Sequence, residues 1–455
     1  MFDLIIMLSR YLFIFYIVLF LWQGIVYVAY EQGGFLGNPY TAVSMQRRIT
    51  VLMHMTAFLI LGYNRETYMF DITTLLFGAI SLVFLLFAVK LLDRFYYEGC
   101  PLIWTGMLFL MDVSLIILQR VEPSLAHRQL MWMCIGLAGM SFLPTFFRWI
   151  PRFEMFEWVY IIGCYLLLLS TRFFGVSKYG STNWLAIGPV TFQPSEIAKF
   201  LFVFYLASVF RKRVEWKQFL TTGILSAGLV MLLVLQKDLG SALIFFMTYM
   251  VMLYIATSNE FLFFLGMGAA SVAAMGAYKL FSHVHVAAWR NPWADIDAGG
   301  YQIVSSLFAI TTWGLFGSGL TKGMPKSIPV VESDMIFSAI CEEFGVIFGA
   351  GIIGIFIMLL YRGVRIALDC NRRYYSILAA GVTTLISFQA FVILGGVMKL
   401  IPLTGVTLPF VSYGGSSVLV SLMMIGLLQW VCVYCEQRAQ QEQEEQRMME
   451  EMQMG

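Results

Sequence analysis

The sequence predicts an all-α fold, a polytopic membrane helical bundle. Three observations carry that prediction. Of 455 residues, 60% are hydrophobic and 12% charged, against roughly 45–50% and 25% in soluble domains. The apolar residues come in long continuous runs rather than in alternation, which favours helices over a β-barrel. No stretch of soluble-domain length interrupts those runs. A soluble fold of this size cannot hide so much apolar surface. The same composition excludes disorder, a collagen-like repeat and a disulfide scaffold. A net charge of +2, without a basic stripe or nucleic-acid motif, leaves no reason to expect a nucleic-acid partner.

Taken in order, the apolar segments centre on 4–30, 49–63, 72–92, 101–118, 126–147, 156–170, 194–210, 219–236, 239–257, 260–281, 335–361, 375–396 and 407–433. Most approach the ~20 residues that a bilayer requires. The second and sixth are short, so both twelve and thirteen spans fit. The first opens on Asp3 without a basic n-region or a small-residue cleavage site, and reads as a retained span. Basic residues at 211–217 (Arg211, Lys212, Arg213, Lys217) and 362–373 (Arg362, Arg365, Arg372, Arg373) mark those loops as cytoplasmic. The C-terminus is then cytoplasmic; thirteen spans put the N-terminus outside, and twelve put it inside. The tail, 436–455, carries six Glu and two Arg. It reads as a helical extension of the last span or as a docking tail for a cytoplasmic partner. Most of the seven cysteines lie in or beside apolar runs, where a free thiol behaves as a small hydrophobe. Cys432 and Cys435 have C-x-x-C spacing, but no second Cys or His pair accompanies them.

Two long loops, 171–193 and 282–334, fall on the side opposite the basic loops, and loops of that length in a bundle are usually functional. Four constellations border them. In Gln193-Pro194-Ser195-Glu196-Ile197-Ala198-Lys199, proline suits a helix start, and Glu196 and Lys199 share one face. An ionisable pair in a span is a functional candidate because burying charge is expensive; the same spacing also suits an ion pair locking two helices. In Lys237-Asp238-Leu239-Gly240, Asp238 either caps the next helix or meets a substrate or cation. Asp334 ends the second loop, where a bare reading makes it an N-cap. Glu342 and Glu343 follow two turns into the span and need partners, for which Lys199 is a candidate. Acidic groups near one cavity suit general-base work or cation binding. Finally, 401–417 breaks an apolar region with Pro402, Gly405, Pro409, Gly414 and Gly415. Non-helical backbone at that depth must be covered by protein or line a cavity. No Walker A, H-E-x-x-H or G-x-S-x-G motif occurs, and His283 and His285, the only clustered histidines, read as interfacial rather than metal-binding.

Together these stretches resemble the shape, elongation, division and sporulation (SEDS) family, which includes FtsW, RodA and SpoVE. The likeness runs over residues 101–435. It rests on Asn183 to Gly188 leading into Gln193–Lys199, on Asn291-Pro292-Trp293-Ala294-Asp295 with Gly300-Tyr301-Gln302, and on Leu315-Phe316-Gly317-Ser318-Gly319-Leu320. It rests also on Ser333 to Gly345 and, most closely, on residues 402–417. The resemblance implies a ten-span SEDS-like core, 101–435, followed by the tail 436–455. Residues 1–100 then form two or three additional N-terminal spans without a counterpart. Glu332 stands where the family often has His, Thr311-Thr312-Trp313 replaces a glycine-containing turn, Lys399 replaces a small residue, and Ile296-Asp297 departs from the family's step.

The resemblance implies a peptidoglycan glycosyltransferase of the bacterial cytoplasmic membrane that polymerises lipid II at the outer face for cell shape, division or sporulation. It assigns catalysis to Asp334. The acceptor's 4-hydroxyl proton would pass to that carboxylate, and undecaprenyl pyrophosphate would leave with inversion. Substrate-binding candidates are Trp184, Gln193, Glu196, Lys199, Asp238, Arg290, Lys326, Glu343 and Ser412. No cofactor is certain: basic side chains or a divalent cation, Mg or Mn, would offset the pyrophosphate charge, and the metal ligands stay unassigned. The implied partner is a class B penicillin-binding protein, a transpeptidase, within membrane lipid. A lipid-linked precursor flippase or other transporter also suits charged residues and a broken helix. It would want those charges near the midplane and an inverted repeat, and neither is seen. A non-enzymatic scaffold for another cell-wall synthase is the third reading.

Overall fold

Four of the long helices begin on a proline, at Pro39, Pro101, Pro123 and Pro194. At the first helical position the missing N–H costs nothing and the ring presets the backbone angle. The computed structural model describes residues 2–31, 33, 38–64, 68–150, 152–178, 181–188, 190–281, 288–296 and 300–454. The long helices are α1 (Phe2–Glu31), α2 (Pro39–Gly62), α3 (Ile72–Phe95), α4 (Pro101–Val121), α5 (Pro123–Trp149), α6 (Glu157–Phe174), α7 (Pro194–Phe210), α8 (Trp216–Leu235), α9 (Leu239–Thr257) and α10 (Glu260–Phe281). A shorter α11 (Tyr301–Thr312) and α12 (Ile336–Phe344) precede α13 (Val346–Asp369), α14 (Arg373–Val397) and α15 (Gly415–Met454). Ten of these helices are long and apolar enough to cross a membrane, so the chain is a multi-pass membrane protein. With α2, α7 and α10, thirteen long helices stand among the described residues.

Several boundaries differ from the sequence reading. The second segment is longer than its apolar stretch, because Gln46 and Arg47 lie inside α2 and find partners there. Gln46 Nε2 donates to the Phe20 carbonyl at 3.0 Å, and Arg47 grips both Asp93 oxygens at 2.6 and 2.8 Å. The span expected at 335–361 is two helices, broken where Gly345 takes a left-handed φ of +93°. The segment expected at 407–433 is helical only from Gly415 and then continues unbroken through the acidic tail to Met454. The loop after α6 holds a small antiparallel sheet, β1 (Val176–Lys178), β2 (Ser181–Ile187) and β3 (Val190–Phe192), ordered β1-β2-β3, with Leu185 opposite Phe192. Cysteine is also used differently. Cys370, just after α13, is disulfide-bonded to Cys435 on α15, while Cys432 is free, so the C-x-x-C spacing forms no pair. His283, His285 and Asp297 lie outside the described residues.

Helix α4 is the axis of the bundle. Nearly all of its residues are buried inside the bundle, whereas α6 and α8 are mostly uncovered and their apolar faces point outward. The cover comes from α2, α3, α5 and α13. Thr105 on α4 donates to Gln46 on α2 at 3.1 Å. Deeper in, His54 of α2 shares a 2.5 Å hydrogen bond with Asp112 of α4, and its other ring nitrogen lies 2.9 Å from the Gly78 carbonyl of α3. Both side chains are almost wholly buried. A buried carboxylate in a span needs such a partner, and here the partner comes from the N-terminal helices.

Candidate active site

Between α14 and α15 the backbone from Met398 to Gly414 is not helical. Pro402 and Pro409 cannot donate to a helix ladder, and Gly405 has φ +68°. Neighbouring helices satisfy the freed polar groups. Gln389 of α14 donates to the Thr407 carbonyl at 2.9 Å, and Gln129 of α5 donates to the Ser412 carbonyl at 3.0 Å. Ser412 Oγ accepts from the Leu408 amide at 2.9 Å, and Thr407 and Ser417 share a 2.6 Å hydroxyl bond. This segment is a fixed floor.

The turn carrying Asp334 rests on that floor. Ser412 Oγ donates to the Ser333 carbonyl at 2.5 Å, and the Tyr413 amide donates to the Glu332 carbonyl at 2.8 Å. Asp334 is half-buried and caps nothing: Met335 takes the N-cap position of α12 without a side-chain bond, so the capping expectation fails. The Asp334 carboxylate faces Gly405, where an added Cβ would stand 3.7 Å from its Oδ2. Burial pushes this carboxyl up to about 6; the Ser333 side chain opposes the shift, and the Glu332 charge adds to it. The same loop holds Thr321 and Val330 at φ +75° and +52°. Branched side chains are strained there, and such strain tends to gather at functional sites.

The remaining candidates form the frame. Lys199 is buried and donates to Glu196 and Gln389, each at 2.8 Å. It therefore does not serve Glu342 or Glu343. Glu343, fully buried, pairs with Arg120 of α4 at 3.0 Å, and Glu342 accepts from the Met324 amide at 2.7 Å. Arg120 also donates to the Gly323 carbonyl at 3.1 Å, so this corner holds the loop that leads to Asp334. Asp238 does cap its helix, accepting from the Ser241 amide at 3.0 Å. Its second oxygen accepts from Asn183 at 2.6 Å and Gln193 at 3.0 Å, which ties β2 and the start of α7 to α9. The Gln193 amide reaches Ser416 at 3.3 Å. Trp184 is half-buried in β2 opposite Val176, while Arg290 and Lys326 stand exposed on the long loop.

Thus Ser412 belongs to the broken segment, Lys199 is linked to it through Gln389, and Gln193 meets Ser416 just beyond it, while Glu196 and Asp238 hold Lys199 and Gln193. Asp334 faces the segment at Gly405, and Glu343 holds the loop from the other side. Sequence reasoning missed Arg120, Gln129 and Gln389. Their signal was present, since each is a polar side chain within or at the end of an apolar run. Among the described residues, no three His, Cys, Asp or Glu side chains gather as a cation site.

Residues 94–437 match the FtsW/RodA/SpoVE family of cell cycle proteins. The chain is 30% identical over 376 residues to the peptidoglycan glycosyltransferase RodA of Mycobacterium tuberculosis, covering 74% of this chain and 78% of that one. It is 34% identical over 317 residues to the stage V sporulation protein E of Bacillus subtilis, covering 67% and 85%. Among solved structures, one described as showing structural coordination of polymerization and crosslinking by a peptidoglycan synthase complex superposes with a TM-score of 0.64 at 25% identity. That match covers 73% of this chain and 97% of the other.

Proposed function

The chain belongs to the FtsW/RodA/SpoVE family, and on that premise we propose that it is a peptidoglycan glycosyltransferase that polymerises lipid II beside Asp334. The observation that supports the reading is the bonding of the 398–414 floor to the turn that carries Asp334, which sets one carboxylate with a raised pKa above that floor. Asp334 takes the proton from the acceptor's 4-hydroxyl. The freed oxygen attacks the donor's anomeric carbon, and undecaprenyl pyrophosphate leaves with inversion. A base poised near the working pH is suited to that transfer. Arg290 and Lys326, exposed on the same loop, offset the pyrophosphate charge. Trp184 and Ser412 border the substrate, while Gln193, Glu196, Lys199, Asp238 and Glu343 hold the frame in register. The positive loops at 211–217 and 362–373 support an orientation with the C-terminus in the cytoplasm and Asp334 on the outer face of the bacterial cytoplasmic membrane. The crosslinking partner is a class B penicillin-binding protein.

The test is polymerisation of purified lipid II by the full chain in detergent, with that partner present. Glycan strands are the expected product; lipid II translocation in liposomes with no glycan formed would favour a transporter instead. The pH profile is a second check. Asp334 is protonated below about 6, so the rate should fall about tenfold per pH unit beneath that value and level off above it. Glu332→Gln removes the like charge and should move the acid limb to lower pH. A limb that does not respond would take Asp334 out of the titration. Gly405→Ala should slow polymerisation through a methyl set against Asp334, with about 1 kcal/mol of backbone strain at φ +68° visible as a small drop in melting temperature.

A further inference from the structure

The family match begins at residue 94, so α1, α2 and all but the last two residues of α3 lie outside it. Yet α1 reaches the loop that ends in Asp334. Arg10 Nη1 donates to the Gly317 carbonyl at 3.3 Å. Tyr11 packs on Phe316 with ring centroids 5.1 Å apart, and Phe13 meets Phe344 edge-on at 4.9 Å. The Ile6 carbonyl closes over Gly319, standing 3.2 Å from where a Cβ would be.

On its other side the same turn is wedged against the end of α12. The Ser318 amide donates to the Glu342 carbonyl at 2.8 Å, and the Gly319 amide to the Glu343 carbonyl at 3.0 Å. These carbonyls belong to the last turn of α12, where orphan acceptors need partners. Gly317 has no room for a side chain, since a Cβ there would fall 2.5 Å from the Gly345 amide nitrogen and 2.6 Å from the Glu343 carbonyl oxygen. The turn at 315–319 is therefore held between α1 and α12, and α12 is the helix that starts immediately after Asp334.

We infer that α1 is a built-in clamp: a transmembrane helix outside the family's shared core that presses the 315–319 turn onto α12 and so positions Asp334. Arg10 and Phe13 are its positioning residues and touch no substrate. The inference rests on the reading of Asp334 as the polymerising base.

The test uses the full chain carrying Arg10→Gln, Phe13→Ala, or both, with Arg10→Lys as the conservative variant. Two readouts are taken: amide hydrogen exchange at Ser318 and Gly319, and steady-state lipid II polymerisation. Expected for the double variant are about tenfold faster exchange at those amides and about a tenfold lower kcat with KM unchanged, while Arg10→Lys stays close to wild type in both. Wild-type exchange in the double variant would overturn the clamp, and faster exchange with unchanged kcat would overturn its positioning role. Should the double variant not fold, Arg10→Gln alone decides by the same two readouts. If the wild-type chain forms no glycan, the polymerase reading fails, and the exchange measurement still judges whether α1 holds the turn.

Discussion

Asp334→Asn should abolish measurable glycan polymerisation while leaving the bundle folded. Loss of a positioned general base removes about 10²–10⁴ in rate. Asn keeps the shape and the half-buried setting of Asp334 but cannot accept the proton. The turn around it does not depend on the carboxylate, because Ser412 and Tyr413 hold the backbone carbonyls of Ser333 and Glu332. Melting temperature in detergent should therefore stay close to wild type, which separates lost chemistry from lost structure. Undiminished polymerisation by the variant would remove Asp334 from the reaction. Lipid II flipping in liposomes that survives the change, without glycan synthesis, would support a transporter.

Arg120→Ala should be the most destabilising single change in the frame. It strands Glu343, which has no exposure, and frees the Gly323 carbonyl. Breaking a buried ion pair from one side costs about 3–5 kcal/mol, because the remaining charge stays desolvated. Replacing both partners, as in Arg120→Leu with Glu343→Leu, removes the stranded charge and should recover much of that loss. Thermal unfolding of the two variants side by side is the measurement. A double variant as unstable as the single would mean that the loop bonds, and not the charge, set the cost. Polymerisation should stay low in both, since the loop to Asp334 has lost its anchor.

Much of this was legible in the residues. Runs of apolar side chains gave the spans, because a bilayer imposes a length and leaves no other way to satisfy the backbone. The Pro and Gly spacing of 401–417 marked a broken segment, and it is one. Partners were not legible. Lys199 looked suited to Glu342 or Glu343, but the shortest reach for its ammonium is Glu196, one turn earlier on its own helix. Periodicity can propose such i, i+3 pairs, whereas Arg120 meets Glu343 across 223 positions of sequence. Asp334 as a cap was a local inference overruled by tertiary contacts. The sequence ended a motif at Gly345 yet drew one span through it, 335–361, and it is the left-handed angle of Gly345 that splits that span.

The hydrogen bond between His54 and Asp112 also bears on how the protein is made. Asp112 sits in the middle of an otherwise apolar helix, and a lone carboxylate there costs about 3 kcal/mol on insertion. His54 lies 58 positions earlier and so leaves the ribosome first. By chain order, both His54 and the Gly78 carbonyl that holds its other ring nitrogen are synthesised before Asp112. Chain order thus gives the acid its companion before the acid arrives. For the buried acid of α4, the partner is therefore always made before the acid itself.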